Sequence, residues 1–201
     1  MDGLIAQYHL HPITDHFTIA LIAAGVIADL FGCLFIKLAG QQFGRLLAVG
    51  KQLRGTAVVL LLPGALCAIL SRVTGESEAE RIWDSLSPAA QTILFSDSGS
   101  ARVLSHAVLG SYLMYAFILL AGGRLSIDIW PRLQAAQFVY LAAALVSLLA
   151  LFYQGTTGGE LVYDHGAGTR PAAAYQYRSS IAASTPQKPE AEAGPGVSHQ
   201  R

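Results

Sequence analysis

Apolar positions in this chain gather in long unbroken runs rather than in one-sided stripes. Four runs have the size of a membrane crossing: Phe17 to Leu38, about Leu53 to Leu70, Val103 to Ala121 and Ala135 to Tyr153. A hydrocarbon core roughly 30 Å thick asks for about 20 such residues per helix. The second run is short and holds Pro63-Gly64, so a kinked helix is expected there, with neighbouring helices satisfying the freed carbonyl. The pattern predicts an all-α, polytopic membrane protein: a four-transmembrane-helix bundle over residues 1–169, then a tail over 170–201.

An even number of crossings puts both termini and the long connection Arg72 to Arg102 on one side, leaving two short loops on the other. Those short loops and the adjoining helix ends carry Lys37, Arg45, Lys51, Arg54, Arg124 and Arg132 against Asp128 alone. The long connection holds Arg72, Arg81 and Arg102 against Glu76, Glu78, Glu80, Asp84 and Asp97. Cytoplasmic loops are enriched in Lys and Arg, so both termini are expected outside, on the periplasmic face of a bacterial cytoplasmic (inner) membrane. The first run lacks a basic leader and a small-residue cleavage site ahead of it, and is expected to persist as a span.

The polar segments are expected to differ in kind. Thr74 to Trp83 reads as a short surface helix with Thr74 as its cap and Trp83 at headgroup level. Gly155 to Gly168 contains five glycines and predicts a tight turn with close backbone approach. Pro171 to Arg201 is poor in large aliphatic residues and reads as disordered, or ordered only on a partner.

Composition sharpens this. The chain is 53% hydrophobic and 13% charged with zero formal net charge, where soluble domains carry roughly a quarter charged residues. Without a basic, aromatic-laced stripe, nucleic-acid binding is excluded as a function class. Cys33 and Cys67 lie singly in apolar runs, which excludes a covalent c-type haem motif and paired-cysteine zinc sites and leaves them as small core residues. No phosphate loop, Gly-x-Ser-x-Gly or His-Glu-x-x-His motif occurs, so a carrier or complex subunit is expected rather than a stand-alone catalyst.

The candidate chemistry lies in histidines. His9, His11, His16, His106 and His165 all fall on the outer side, with His199 in the tail. His16 and His106 occupy the first turns of two helices running in the same direction, at similar depth. Small residues lie beneath them, Ala20 and Ala23 under His16 and Gly110 under His106, which could leave a slot for a flat macrocycle. Arg102 and the tyrosines Tyr8, Tyr153 and Tyr163 could meet its propionates. The expectation is a b-type haem (heme b) ligated by His16 and His106, with His11 and His165 as a second pair or as supports. Copper or zinc held by the same histidines is an alternative, and a cofactor-free structural subunit whose small residues serve helix packing is another. The acid of Asp15-His16 or Asp164-His165 could steady the other pair's histidine across the bundle. Asp29 lies within an apolar helix and must be neutral, turned inward or paired with a group such as Tyr115.

His11-Pro12-Ile-Thr-Asp-His16-Phe17, Asp29-Leu30, His106 and Gly158-Gly159-Glu-Leu161-Val162-Tyr163-Asp-His165-Gly166 together resemble the bacterial membrane domain of unknown function numbered 2231, over roughly residues 9 to 169. Thr169 stands where that family usually has valine. The resemblance implies a four-helix architecture, an association with respiratory and redox proteins, and His11, His16, His106 and His165 as the motif histidines. Partners are then expected to be the lipid bilayer and a periplasmic or membrane redox protein.

Overall fold

The computed structural model of the chain describes residues 10–39, 43–95 and 105–167, which hold helices and turns and no strand. Four helices are long and apolar enough to span a bilayer: α1 (Leu10–Ala39), α2 (Gly44–Ile82), α4 (His106–Ile129) and α5 (Gln137–Tyr163), with the short α3 (Pro88–Leu94) between α2 and α4. Single 3₁₀ turns follow α2 (Trp83–Ser85) and precede α5 (Pro131–Ala136). Arg102 and the 170–201 tail lie outside the described residues, as do Tyr8 and His9.

Several boundaries differ from the hydropathy pattern because the helices outrun the membrane. The acidic stretch does not start a helix of its own. It continues α2, whose 39 residues make a rod about 58 Å long at 1.5 Å per residue. The pairs Arg72–Glu76 and Arg81–Glu78, one turn apart, favour that continuation. Thr74 is therefore no cap. It is buried within α2, its hydroxyl donating to the Leu70 carbonyl at 2.8 Å. The helix also runs through Pro63. Likewise α5 absorbs Gly155, Gly158 and Gly159 and ends at Tyr163, with the chain turning off at Gly166. There φ is 66°, and bonds from Gly166 N to Val162 O and from Ala167 N to Leu161 O close a Schellman-type cap.

The starts of α3 and α4 are fixed by side chains. Ser87 accepts from Ala90 N and Ser105 from Val108 N, each hydroxyl taking one of the amides a helix start leaves unpaired. Around the bundle the order is α1, α2, α4, α5, with α1 and α4 on the diagonal and only a light contact closing α5 onto α1. α1 and α2 pack backbone to backbone: a Cβ on Gly32 would lie 2.9 Å from the Gly50 carbonyl oxygen, and one on Gly50 2.9 Å from that of Gly32. Ile22, Val26, Leu61, Leu113, Phe117 and Leu148 fill the dry centre. A second cluster, from Leu86, Ala90, Ile93, Leu94 and Leu161, lets α3 cap the histidine end.

Candidate functional site

At the histidine end the four helices diverge around a chamber lined by His11, Asp15, Ser71, Arg72, His106 and Gln154, with Leu113, Met114, Phe117 and Leu151 as an apolar floor and Leu94 and Phe95 toward α3. Its open space is about 90 Å³, room for several water molecules.

Hydrogen-bond counting fixes both imidazoles. His11 Nδ1 lies 2.9 Å from the Ser71 carbonyl oxygen, which can only accept, so Nδ1 carries the proton. His106 Nδ1 lies 3.0 Å from Thr157 Oγ1, which is also 2.9 Å from the Gln154 carbonyl; with the hydroxyl proton given to that carbonyl, Nδ1 is the donor here too. With Nδ1 carrying the proton, the neutral form of each ring has its lone pair on Nε2. Anchoring one ring nitrogen so that the other is free is how proteins prepare histidine ligands.

Each ring also rests on a glycine of the neighbouring helix. A Cβ on Gly75 of α2 would stand 2.9 Å from His11 Cε1, and one on Gly158 of α5 would stand 3.1 Å from His106 Cε1. Here Gly158 of the Gly158-Gly159 motif serves ring packing within a helix rather than a turn.

The sequence pairing of His16 with His106 is not what the fold brings together. His16 is exposed on the outer flank of α1, its Nδ1 bonded to the Pro12 carbonyl, beside Ile13, Phe17 and Ala20. Five residues at 100° each turn it well away from the face His11 presents. The histidine facing His106 across the bundle is His11. His165 is half-buried beyond the end of α5 and lines no part of the chamber. Tyr153 and Tyr163 point outward at 50% and 88% exposure, so neither reaches the chamber. Gly110 and Leu113 do lie beneath His106 and line the chamber, as the helix period requires.

Gln154, which lines the chamber, and Thr157, which holds His106 from α5, carry no signal in the sequence that ties them to it. Asp15 accepts from Ser71 Oγ at 3.3 Å, and Gln154 donates to the His106 carbonyl at 2.9 Å while its own buried Oε1 has no hydrogen-bond partner among the described residues. Arg72 is engaged by Ser111 Oγ at 2.8 Å and by Glu76. Unspent capacity in the chamber is thus mainly that of acceptors and lone pairs. No three His, Cys, Asp or Glu side chains among the described residues gather closely enough to hold a bare metal ion.

A family described as "Predicted membrane protein (DUF2231)" matches residues 7–171. The chain belongs to it. No curated protein and no solved structure matches the chain.

This DUF2231 chain has a second polar cluster at the opposite end. Asp29 is 1% exposed and is met not by Tyr115, which is 61% exposed on the outside of α4, but by two arginines. Arg124 Nε donates to Asp29 Oδ1 at 2.9 Å, and Arg54 Nε lies 3.3 Å from the same oxygen. Arg124, itself 1% exposed, also reaches Asp128 at 2.6 Å and the Arg54 carbonyl at 3.2 Å. Cys33 lies beside this cluster as a partly buried thiol contacted by Gln137 Nε2 at 2.8 Å.

Proposed function

We propose that this protein is a membrane-bound electron-transfer subunit that holds one b-type haem between His11 of α1 and His106 of α4. The observation that carries the reading is that His11 and His106, from helices on the bundle diagonal, line one chamber, each with its Nδ1 held by a hydrogen-bond partner on the neighbouring helix. Two axial imidazoles suffice for haem iron, whereas a bare copper or zinc ion takes further protein donors. An apolar floor with Arg72 at the rim suits a ring that is apolar in its body and anionic at one edge.

The chamber as it stands is smaller than a macrocycle. Loading therefore requires α1 and α5, which touch only lightly, to part. Bound haem would supply one-electron chemistry. The chain's own residues fix the ring planes of the ligands and keep bulk water away from the floor. The reading places the chamber on the periplasmic side of the inner membrane, where a periplasmic or membrane redox partner would exchange electrons with it.

A visible spectrum of the full-length protein tests this. A Soret band that sharpens on dithionite is expected, lost in His11→Ala and in His106→Ala and kept in His16→Ala. A full haem complement in both of the first two variants overturns the ligand assignment. Stoichiometric copper or zinc without a Soret band gives the metal-ion alternative instead, and neither leaves a cofactor-free subunit of a larger complex.

A further inference from the structure

The Asp29 cluster holds more polar capacity than its own atoms satisfy. Asp29 Oδ2, Arg54 Nε, Arg54 Nη2 and the Tyr140 hydroxyl are all buried and lack a hydrogen-bond partner among the described residues. Arg54 Nε is close to Asp29 Oδ1 but not aligned with it. The Tyr140 hydroxyl approaches the Asp29 carboxylate closely enough to interact with it but makes no aligned hydrogen bond among the described residues. Such groups in a membrane interior are costly when unpaired, and they come here from three different helices, α1, α2 and α5.

We infer that this end of the bundle is a binding site for internal water, seated between Asp29 Oδ2, the Arg54 guanidinium and the Tyr140 hydroxyl. The unpaired atoms define the occupant. Arg54 Nη2 can only donate and Asp29 Oδ2 can only accept, so the occupant must accept and donate at once. A halide or phosphate accepts but would sit against the Asp29 carboxylate, and a metal cation would sit against Arg54. The charges already balance, Arg54 and Arg124 against Asp29 and Asp128, so no net charge calls an ion in. A neutral molecule with donors and acceptors fits, and water with two of each is the smallest.

Asp128, at 46% exposure the most open member of the network, marks the way to the aqueous phase. The cluster is thus a hydrated pocket reaching into the bundle from the end opposite the histidine chamber. Ile22, Val26, Leu113, Phe117 and Leu148 lie between the two as a dry layer.

Hydroxyl-radical footprinting of the full-length protein in nanodiscs tests this, because radicals generated from bound water oxidise the aromatic ring beside it even where bulk solvent is excluded. Tyr140 is 8% exposed and Phe117 is 1% exposed, and tyrosine and phenylalanine rings are of similar intrinsic reactivity. Tyr140 is expected to be oxidised several-fold faster than Phe117. Equal protection of the two rings overturns the site. So does an experimental map that resolves other bound waters yet shows no density within hydrogen-bond distance of both Asp29 Oδ2 and Arg54. The map does not depend on what the histidine chamber binds; because Phe117 lies in that chamber's floor, the decisive footprinting result is whether Tyr140 itself is oxidised.

Discussion

Thr157 shows how much of the chamber depends on a single hydroxyl. It lies 51 positions from His106 in sequence and is buried at 4% exposure, and with its one proton given to the Gln154 carbonyl it accepts from the imidazole. Thr157→Val keeps the shape and removes that acceptor. The ring then loses its orientation, and affinity for a bound haem or metal is expected to fall about 10- to 100-fold, the usual effect of removing a group that orients a ligand. Thr157→Ser should retain it, and haem titration of the two variants checks the difference. His106 was legible from sequence because a histidine at a span's first turn stands out. Thr157 was not, because no local pattern links residues on different helices. His11 was passed over for His16 for a related reason. In a membrane helix both the inward and the lipid-facing sides are apolar, so hydropathy carries no phase. Ile13, Phe17 and Phe31 are 53%, 57% and 49% exposed, yet by composition they could as well be core.

At the scale of elements, existence and type were legible and ends were not. The four spans follow from length and hydropathy, but α2 and α5 run on through segments whose polar or glycine-rich composition resembles a loop. Helix continuation there comes from side-chain ion pairs and from packing against other helices, which hydropathy does not record. Glycine content likewise hid two different roles. Gly50 sits where α1 and α2 touch backbone to backbone, and a Cβ there would lie 2.9 Å from both Gly32 O and Ile36 Cγ1. Gly55, on the exposed side of the same helix, has nothing within 4 Å. Gly50→Leu is expected to push the hairpin apart and lower stability by about 1–3 kcal/mol or more, as overpacking does. Gly55→Ala should raise it by roughly 0.5–1 kcal/mol through the reduced entropy of the unfolded chain. Unfolding followed by helical circular dichroism in detergent separates the two, and equal effects would mean that α1 and α2 do not meet at Gly50.

Across the whole molecule, the fold sorts charge by end and so bears on which way the protein sits in the bilayer. His106 and Arg124 are 18 residues apart on α4, about 27 Å at 1.5 Å per residue, so the chamber and the Asp29 cluster stand near opposite faces of a core roughly 30 Å thick. Arg54 and Arg124 are occupied with Asp29 inside the bundle, which leaves Lys37, Arg45, Lys51 and Arg132 as the cations exposed at that end. The opposite end exposes Glu76, Glu80 and Asp84 beyond the membrane part of α2, with Arg81 as an exposed cation there. The asymmetry survives the subtraction of the two buried arginines, and the positive-inside rule then predicts that the Asp29 end faces the cytoplasm. In a Cys33→Ala, Cys67→Ala background, Glu80→Cys should react with a membrane-impermeant maleimide in intact cells, and Arg45→Cys only after permeabilisation. Both sites lie on exposed helix surface away from the core, so neither substitution should disturb folding. The reverse pattern would turn the molecule over: the paired imidazoles would then face the cytoplasm, and any electron partner would have to be sought there.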